Sequence, residues 1–394
     1  MEENKKNKIP NVPNLRFDTF DHEWEKVRLG LFVKEVKKYT SDFNKYPLFT
    51  FSIEDGVTPK TDRYERGFLV KKEGETFKII EENQFLINPM NLRFGAINFS
   101  KIKRPVSVSG YYDIFEIEEK KNCYFWYGLL SNNKTIKLYN SIATGSLSEK
   151  KRVHFSQLVQ LNFYVPNENE RSRISILLNK ISERIETQNK IIKELETLKN
   201  AILDKIINLS YSNGTKKIDK IIVEYCNKTK TNNEYPVLSS TASGIFFQSD
   251  YFKKEASSED TTGYKCIPFG YCTYRSMSDT GKFNFNIQNI TDIGIVSPAY
   301  PVFFVKEDSA LFLITVLNND KKVINDILKT KTGGTRFSLP LSKLMKLEIP
   351  WPQEDKRKIF TKIIEILSEK ISIENKTLIK YKEQKDYLLQ NMFI

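Results

Sequence analysis

One tetrapeptide, Asn88-Pro89-Met90-Asn91, comes near to the motif of an adenine methyltransferase. That motif is Asn or Asp followed by two prolines and an aromatic residue, and such an enzyme also needs a glycine-rich loop for its cofactor. The segment lacks the second proline and the aromatic residue, and the sequence contains no glycine-rich cofactor loop. Because Asn and Pro are typical turn residues, we interpret the segment as a turn.

Two further groups of residues could take part in phosphate chemistry. Gly333-Gly334-Thr335-Arg336 lacks the Gly-Lys-Ser/Thr ending of a phosphate-binding loop, which favours a tight turn. The acidic pairs Glu81-Glu82 and Glu118-Glu119 have no Glu-x-Lys nuclease pattern beside them, which favours a solvated surface. The sequence therefore predicts no catalytic centre in this chain.

The composition restricts other kinds of site. The chain has 394 residues with 2 histidines and 4 cysteines, and the cysteine spacing fits no zinc pattern. We therefore predict no metal site and expect reduced thiols in a cytoplasmic protein. The longest apolar run, residues 310–317, is too short to span a membrane, and no apolar run follows the charged start as in a signal peptide.

The net charge of +13 indicates an acidic partner, with nucleic acid as the first candidate. Residues 1–200 carry +7 and residues 201–394 carry +6, so we expect both halves to meet that partner. Lys and Arg neutralise phosphates, and groove contacts select the sequence. The candidate DNA contacts of the first half are Lys60, Arg63, Arg66, Arg93, Lys101, Lys103, Arg104, Ser146, Lys150 and Lys151. Those of the second half are Tyr274, Arg275, Lys282, Lys329, Lys331, Thr335 and Arg336.

Any single basic residue of this set is more often ordinary surface than a DNA contact, and the stronger candidates combine Arg with turn residues. Arg336 follows two glycines, so its backbone could approach a phosphate while its side chain reaches a guanine edge. Arg93 follows the Asn88-Pro89 turn, and Tyr274-Arg275 lies in a stretch with little apolar content. Which base each would contact is not predicted.

The sequence repeats itself at an offset of 186 residues. Ser156, Leu158, Leu161 and Pro166 of the first copy match Ser342, Leu344, Leu347 and Pro352 of the second. Arg171 matches Arg357, and a weaker upstream match relates Tyr46-Pro47 to Tyr235-Pro236. The repeat predicts a pseudo-twofold organisation.

A long helix is predicted after each proline, because the apolar steps alternate between four and three as in a coiled coil. Each run covers about 40 residues, or roughly 60 Å of helix. Acidic residues follow each proline, as suits a first helical turn. The predicted seam residues are Ile174, Leu178, Ile181, Ile185, Ile192, Leu195, Phe360, Ile364, Leu367, Ile371, Leu378 and Tyr381. The matched polar seam residues Gln188 and Glu374, and Lys199 and Lys385, cost stability but can fix the register.

These patterns predict an α+β chain in which globular regions of mixed helix and sheet alternate with long helices. The predicted segments are an N-terminal tail (1–23), a globular region (24–155), a region with a long helix (156–209), a linker (210–215), a second globular region (216–341) and a second helical region (342–394).

The arrangement resembles the specificity subunit of type I restriction–modification systems. The opening Val12-Pro-Asn-Leu-Arg-Phe17, with Glu23-Trp24-Glu25 after it, is similar to that family's characteristic start. The closing helix, which ends Gln384-Lys-Asp-Tyr-Leu-Leu-Gln-Asn-Met-Phe393, matches as well. The resemblance covers nearly the whole chain after residue 11 and depends on the arrangement rather than on one motif.

The resemblance implies a subunit that selects a DNA sequence and performs no chemistry itself. The two globular regions would be target recognition domains, each for one half of a bipartite asymmetric target. The long helices would pack antiparallel, as a spacer and as the docking site for two modification subunits. S-adenosylmethionine, ATP and Mg would be bound by these modification subunits and by restriction subunits, and not by this chain.

Two alternatives remain open at the level of sequence. The chain could be a coiled-coil scaffold whose globular regions bind proteins, in which case DNA binding would be absent or insensitive to salt. A self-contained nuclease or methyltransferase is disfavoured by the missing motifs.

Overall fold

A computed structural model of the chain describes residues 11–60, 77–146, 151–251, 260–330 and 337–394. Contacts divide the chain into unit 1, which is Met1–Asn189 with Lys376–Ile394, and unit 2, which is Lys190–Asn375. Each unit therefore contains part of both long helices, whereas the segments predicted from the sequence separate the helices from the globular regions.

Unit 1 is built on short strands that are broken by turn residues, as the sequence predicts. They are β1 (Glu25–Arg28), β2 (Val33–Val36), β3 (Tyr39–Thr40), β4 (Phe49–Ser52), β5 (Gly56–Pro59), β6 (Phe77–Ile80), β7 (Phe85–Ile87), β8 (Ile97–Phe99), β9 (Val106–Ser109), β10 (Asp113–Ile117) and β11 (Asn162–Val165). Antiparallel pairing gives a four-stranded sheet in the order β2-β10-β7-β8 and a three-stranded sheet in the order β3-β6-β9. The hairpin β4-β5 and the pair β1-β11 complete the described strands of this unit.

Three short helices and the start of a long one cover the four-stranded sheet. They are α1 (Cys123–Ser131), α2 (Asn133–Ile142), α3 (Phe155–Leu158) and α4 (Glu168–Tyr211). The Asn132 side chain accepts a 3.0 Å hydrogen bond from the Thr135 amide and so caps the start of α2. The core contains fully buried aromatic side chains from the sheet and from α1, such as Phe85, Phe115 and Trp126.

Unit 2 contains a second series of short strands and helices. Its strands are β12 (Thr215–Lys217), β13 (Ile222–Glu224), β14 (Leu238–Thr241), β15 (Gly244–Phe247), β16 (Lys265–Pro268), β17 (Cys272–Tyr274), β18 (Met277–Ser278), β19 (Phe285–Ile287), β20 (Ile293–Val296), β21 (Val302–Val305), β22 (Phe337–Ser338) and β23 (Glu348–Pro350). Its helices are α5 (Gln248–Tyr251), α6 (Ala310–Asn319), α7 (Lys321–Thr330), α8 (Leu341–Leu344) and the first part of α9 (Glu354–Asn391). The four-stranded sheet has the order β13-β21-β17-β19, and its core includes Phe303 and Phe312.

Within each unit, α4 and α9 pack against each other in opposite directions. In unit 1, Ile174 and Leu178 of α4 share a core with Leu388 of α9; in unit 2, Leu203 of α4 shares a core with Ile364 of α9. Of the predicted seam residues, Ile174, Leu178, Ile181, Ile192 and Ile364 are buried. The others are half-buried, namely Ile185, Leu195, Phe360, Leu367, Ile371, Leu378 and Tyr381.

The fold class is therefore mixed α and β with long helices that pack together, as predicted. The first long helix begins at Glu168, two residues after Pro166, and the second begins at Glu354, two residues after Pro352. The seam lysine Lys199 donates a 3.0 Å hydrogen bond to Ser368 Oγ within unit 2. In unit 1, Lys385 Nζ lies 5.5 Å from the centre of the Tyr127 ring.

The cysteines are free thiols, of which Cys226 is exposed and the other three are buried. Burial raises the pKa of both Cys123 and Cys272 to about 12, so neither is a thiolate at neutral pH. No three His, Cys, Asp or Glu side chains come together as metal ligands in the part of the chain that is described. Among the same residues, no helix has the length and apolar character needed to cross a membrane.

Candidate nucleic-acid interface

The turn after β7 holds Arg93 at the surface of unit 1. Asn88 Oδ1 accepts a 3.1 Å hydrogen bond from the Met90 amide, which fixes the turn that the sequence predicts at Asn88-Pro89. The Arg93 guanidinium carbon lies 4.2 Å from the centre of the exposed Phe94 ring, and Arg93 Nε has no hydrogen-bond partner among the described residues. Because the Nε atom is itself buried, a ligand would be contacted only by the terminal nitrogens of this half-buried side chain.

A second predicted segment lies directly beside this turn. Thr144 and Arg152 exchange two backbone hydrogen bonds of 2.9 Å, and the Val153 amide donates to the Pro89 carbonyl at 3.0 Å. Ser146 is exposed and Lys151 is half-buried in this segment. The structure thus brings the Arg93 and Lys151 segments together, whereas Lys150 lies outside the described residues.

Three more predicted cations of unit 1 are exposed near the β4-β5 hairpin. Pro59 pairs with Phe49, so Lys60 follows the hairpin at the end where Leu48 bridges Ser107 of β9. Lys103 and Arg104 immediately precede β9 and are also exposed. None of the three forms an ion pair with another described residue. Arg63 and Arg66 lie outside the described part of the chain.

In unit 2, Arg275 is exposed directly after β17. The next residues join β22, because Met277 pairs with Ser338 and the Leu339 amide donates to the Ser276 carbonyl at 2.9 Å. The Arg275 turn therefore lies beside the residues that follow the predicted Gly-Gly loop. Lys331, Thr335 and Arg336 of that loop lie outside the described residues, and Lys282 is exposed on a separate turn.

The prediction that Tyr274 contacts DNA is wrong. Tyr274 is fully buried in β17, where its hydroxyl donates to the Leu339 carbonyl at 2.9 Å and its ring packs 4.7 Å from that of Phe285. The preceding residues Cys272 and Thr273 are also buried, because β17 has neighbours on both sides of its sheet. The sequence has little apolar character here, so it did not reveal a central strand.

Two of the predicted lysines already have partners within the chain. Lys101 pairs with Glu186 of α4, and its Nζ lies 5.3 Å from the centre of the Tyr124 ring. This ion pair joins the globular part of unit 1 to the long helix, so the structure favours a packing role for Lys101 over a phosphate contact. Lys329 pairs at 2.9 Å with Asp326, one turn earlier in α7.

An arginine at the start of each long helix ties that helix to the globular part of its own unit. Arg171 donates to the Pro166 carbonyl and, through Nε at 2.9 Å, to Glu119. In unit 2, Arg357 donates to the Pro352 carbonyl, to Glu307 and, at 3.1 Å, to Ser309 Oγ. The 186-residue repeat matches Arg171 to Arg357, but the sequence does not indicate which residues these arginines contact. For Glu119 the prediction of a solvated surface is wrong, since its side chain is 18% exposed.

This contact makes the stability of unit 1 depend on pH. Burial opposes the charged form of Glu119, but hydrogen bonds from Arg171 and Asn122 outweigh it and lower the pKa of Glu119 below its ordinary value of 4.5. A carboxylate with a lowered pKa stabilises the fold above about pH 4.5 and loses that effect as the pH falls through the lowered pKa. We expect Glu119→Gln to unfold more easily at pH 7 and to lose less stability than wild type between pH 5 and pH 3. Denaturant unfolding at each pH measures this, and an unchanged pH profile would contradict it.

The opening segment that carries the family resemblance has a structural role. Arg16 donates to both oxygens of Glu170 at 2.7 Å, and Trp24 Nε1 lies 3.4 Å from Glu170 Oε1. Glu170 lies in the first turn of α4 and its side chain has no exposed surface. Arg16 and Trp24 are therefore held by one buried carboxylate, which attaches the opening segment to the long helix.

Both long helices also expose large apolar side chains outside their shared seam. Those of α4 are Ile176, Ile191, Leu198 and Leu209, and those of α9 are Ile359, Ile366, Ile373, Ile379 and Tyr387. Three of them, Ile359, Ile366 and Ile373, follow one another at heptad spacing, so they lie along one side of α9. Apolar positions in such a row are typical of a surface that binds another protein.

The chain has two mixed α/β units, each of which contains part of both long helices, and solved structures with a similar architecture are known. Neither a scan against protein-family models nor a search of curated proteins finds a match to this sequence. Among solved structures, the chain is similar to the S subunit of the type I restriction–modification system from M. genitalium. The identity is 15% and the TM-score 0.61, with 97% of this chain and 99% of that chain covered.

Two further structures are less similar. One describes complex assembly and conformational transition of the type I R-M system, with 12% identity, a TM-score of 0.49 and 94% and 97% coverage of this chain and that chain. The other is the HsdS subunit from Thermoanaerobacter tengcongensis, with 13% identity, a TM-score of 0.42 and 94% and 95% coverage. The similarity to the M. genitalium structure, at a TM-score of 0.61, shows that the chain has the fold of a type I restriction–modification S subunit, which confirms the resemblance inferred from the sequence.

Proposed function

We propose that this chain is the DNA sequence-specificity subunit of a type I restriction–modification complex. The observation that carries the proposal is the S-subunit fold over 97% of the chain. The exposed cations of both units supply the phosphate contacts that such a role requires. The chain itself would be non-catalytic, and S-adenosylmethionine, ATP and Mg would be bound by partner subunits.

Each unit would recognise one half of a bipartite target. The two four-stranded sheets have the same strand order when they are followed along the chain, and each is followed by two helices of similar length. Arg171 and Arg357 also make the same contact, because each donates a hydrogen bond to the carbonyl of the proline that precedes its long helix. We infer that the units are two copies of one target recognition domain whose surface loops differ, which predicts an asymmetric target.

The long helices would act as a spacer and as the docking site of two modification subunits. The exposed apolar residues on α4 and α9 support this role, because burial of such side chains drives most protein association. Restriction subunits would join the same complex. The residues that contact each partner are not assigned.

Adenine-methylation mapping tests this proposal directly. Cells that carry this chain with its modification subunit should methylate a split motif with two constant halves and a fixed spacer. The motif should disappear when the gene for this chain is deleted and return when it is restored. Methylation that is unchanged by the deletion would overturn the proposal.

The salt dependence of DNA binding separates this role from that of a protein-binding scaffold. If six to ten phosphates are contacted, the affinity of the complex should fall about 10³- to 10⁵-fold between 50 and 200 mM salt. Fluorescence anisotropy with a labelled duplex measures this, and sodium glutamate in place of chloride tests for an effect specific to the anion. A scaffold would bind DNA weakly or with little response to salt.

A further inference from the structure

An exposed methionine stands at the same place in the two units. Met90 is three residues beyond the end of β7 and is 42% exposed, and Met277 is three residues beyond the end of β17 and is 40% exposed. Strands β7 and β17 occupy the same position in their sheets, next to β10 and β21 respectively. The chain has only 5 methionines, so two at one exposed position call for an explanation.

The backbone beside each methionine is held in the same way. The carbonyl before Met90, of Pro89, accepts from the Val153 amide at 3.0 Å. The carbonyl before Met277, of Ser276, accepts from the Leu339 amide at 2.9 Å. Both donors lie just before a short helix, α3 or α8. Met90 is therefore exposed from a turn that is held in place, and Met277 from the first residue of β18, which is paired with β22.

Each methionine has an arginine close by in the sequence, and in unit 2 the exposed carboxylate Asp279 also follows Met277 by two residues. Arg93 follows Met90 by three residues, and Arg152 is joined to this turn through Val153. Arg275 precedes Met277 by two residues and is exposed. An apolar side chain among arginines suits an anionic polymer that also offers apolar groups. Duplex DNA does, since the thymine methyl group and the base edges lie between the phosphates.

We propose that Met90 and Met277 are apolar base contacts, one in each half of the DNA target, and that Arg93 and Arg275 beside them bind phosphates or base edges. This inference rests on the proposed function and adds to it the chemistry of the contact. Methionine suits such a contact because its unbranched, polarisable side chain adapts to an irregular surface. The exposed Phe94 ring, which lies under the Arg93 guanidinium, extends the apolar surface in unit 1.

The test uses the complex of this chain with its modification subunit and compares Met90→Ala, Met277→Ala and the double variant. Each single variant should weaken DNA binding about 5- to 150-fold, which corresponds to the effect of one mismatched base pair. Met90→Ala should relax the base preference in one half of the target only, and Met277→Ala in the other half only. Methylation mapping with each variant measures the preference at every position. Replacement of thymine by deoxyuridine at the relaxed position should weaken wild type but not the matching variant.

Leu31→Ala is the matched control, because Leu31 is 70% exposed in unit 1 but lies in a different segment. It should leave the affinity and the motif unchanged. If both methionine variants bind DNA with the affinity of wild type and methylate the same motif, this inference is overturned and the proposed function remains intact. Loss of modification-subunit binding by the variants would also overturn it, since the surface would then bind protein. If wild type itself binds no DNA, the proposed function fails.

Discussion

Replacement of Glu170 by alanine is expected to destabilise unit 1 by about 3–5 kcal/mol. The Glu170 side chain has no exposed surface, and the Arg16 side chain, which it binds through two 2.7 Å hydrogen bonds, is 13% exposed. Removal of the carboxylate leaves the nearly buried Arg16 guanidinium without an opposite charge. The free energy of a buried, unpaired charge is far less favourable than the loss of the hydrogen bonds alone. Trp24 Nε1 loses its acceptor in the same step.

Glu168→Ala provides the control for this prediction. Glu168 lies in the same helical turn and pairs with Lys121, but its side chain is 56% exposed, so its loss should cost about 1 kcal/mol or less. Denaturant unfolding, together with hydrogen exchange at the amides of the opening segment, measures both variants. Equal effects of Glu170→Ala and Glu168→Ala would contradict the role assigned to the buried carboxylate. Arg16→Ala should also destabilise unit 1, because it leaves the buried carboxylate of Glu170 without its charged partner.

The long helices could be predicted almost to the residue, because a heptad seam, a preceding proline and acidic first turns are local signals that agree with one another. The seam positions that are half-buried, such as Leu367, show where the second helix alone does not cover the side chain. The partners of Arg171 and Arg16 could not be predicted, since Glu119 is 52 residues from Arg171 and Glu170 is 154 residues from Arg16. Pairing at such separation is decided by the tertiary fold.

Among the candidate DNA contacts as well, local features could be predicted from the sequence and tertiary contacts could not. Arg275 and Lys60 are exposed and Arg93 is half-buried, so their contacts with DNA stay predictions. The burial of Tyr274 in a central strand and the ion pair of Lys101 with the distant Glu186 leave no local trace in the sequence. In the sequence, Met90 stands out only as part of an incomplete methyltransferase motif. Its exposure, and its match to Met277 at an offset of 187 rather than 186 residues, became visible only with the fold.

Phe393→Ala is the second change with a large expected effect, about 3–5 kcal/mol on the stability of unit 1. Phe393 follows α9 and is 1% exposed, and its ring lies 5.6 Å from that of Phe125 and 6.4 Å from that of Trp24. Its backbone carbonyl accepts a 2.9 Å hydrogen bond from Lys134 Nζ. The truncation would leave a cavity where the opening segment, α1 and the end of α9 meet. Tyr387→Ala is the control, because Tyr387 is 57% exposed on α9 and should cost little.

A double-mutant cycle with Gly128 tests whether the cost of Phe393→Ala arises at this contact. A Cβ atom at Gly128 would lie 2.7 Å from Phe393 Cζ and 3.0 Å from Leu178 Cδ1, so Gly128→Ala in wild type should cost about 1–3 kcal/mol through overpacking. In the Phe393→Ala background most of that cost should vanish, because the cavity accepts the added methyl group. Thermal and denaturant unfolding of the four proteins give the coupling energy. If the free-energy costs of the two substitutions simply add, Gly128 and Phe393 are not in contact in solution. The packing of the end of α9 against α1 would then be contradicted.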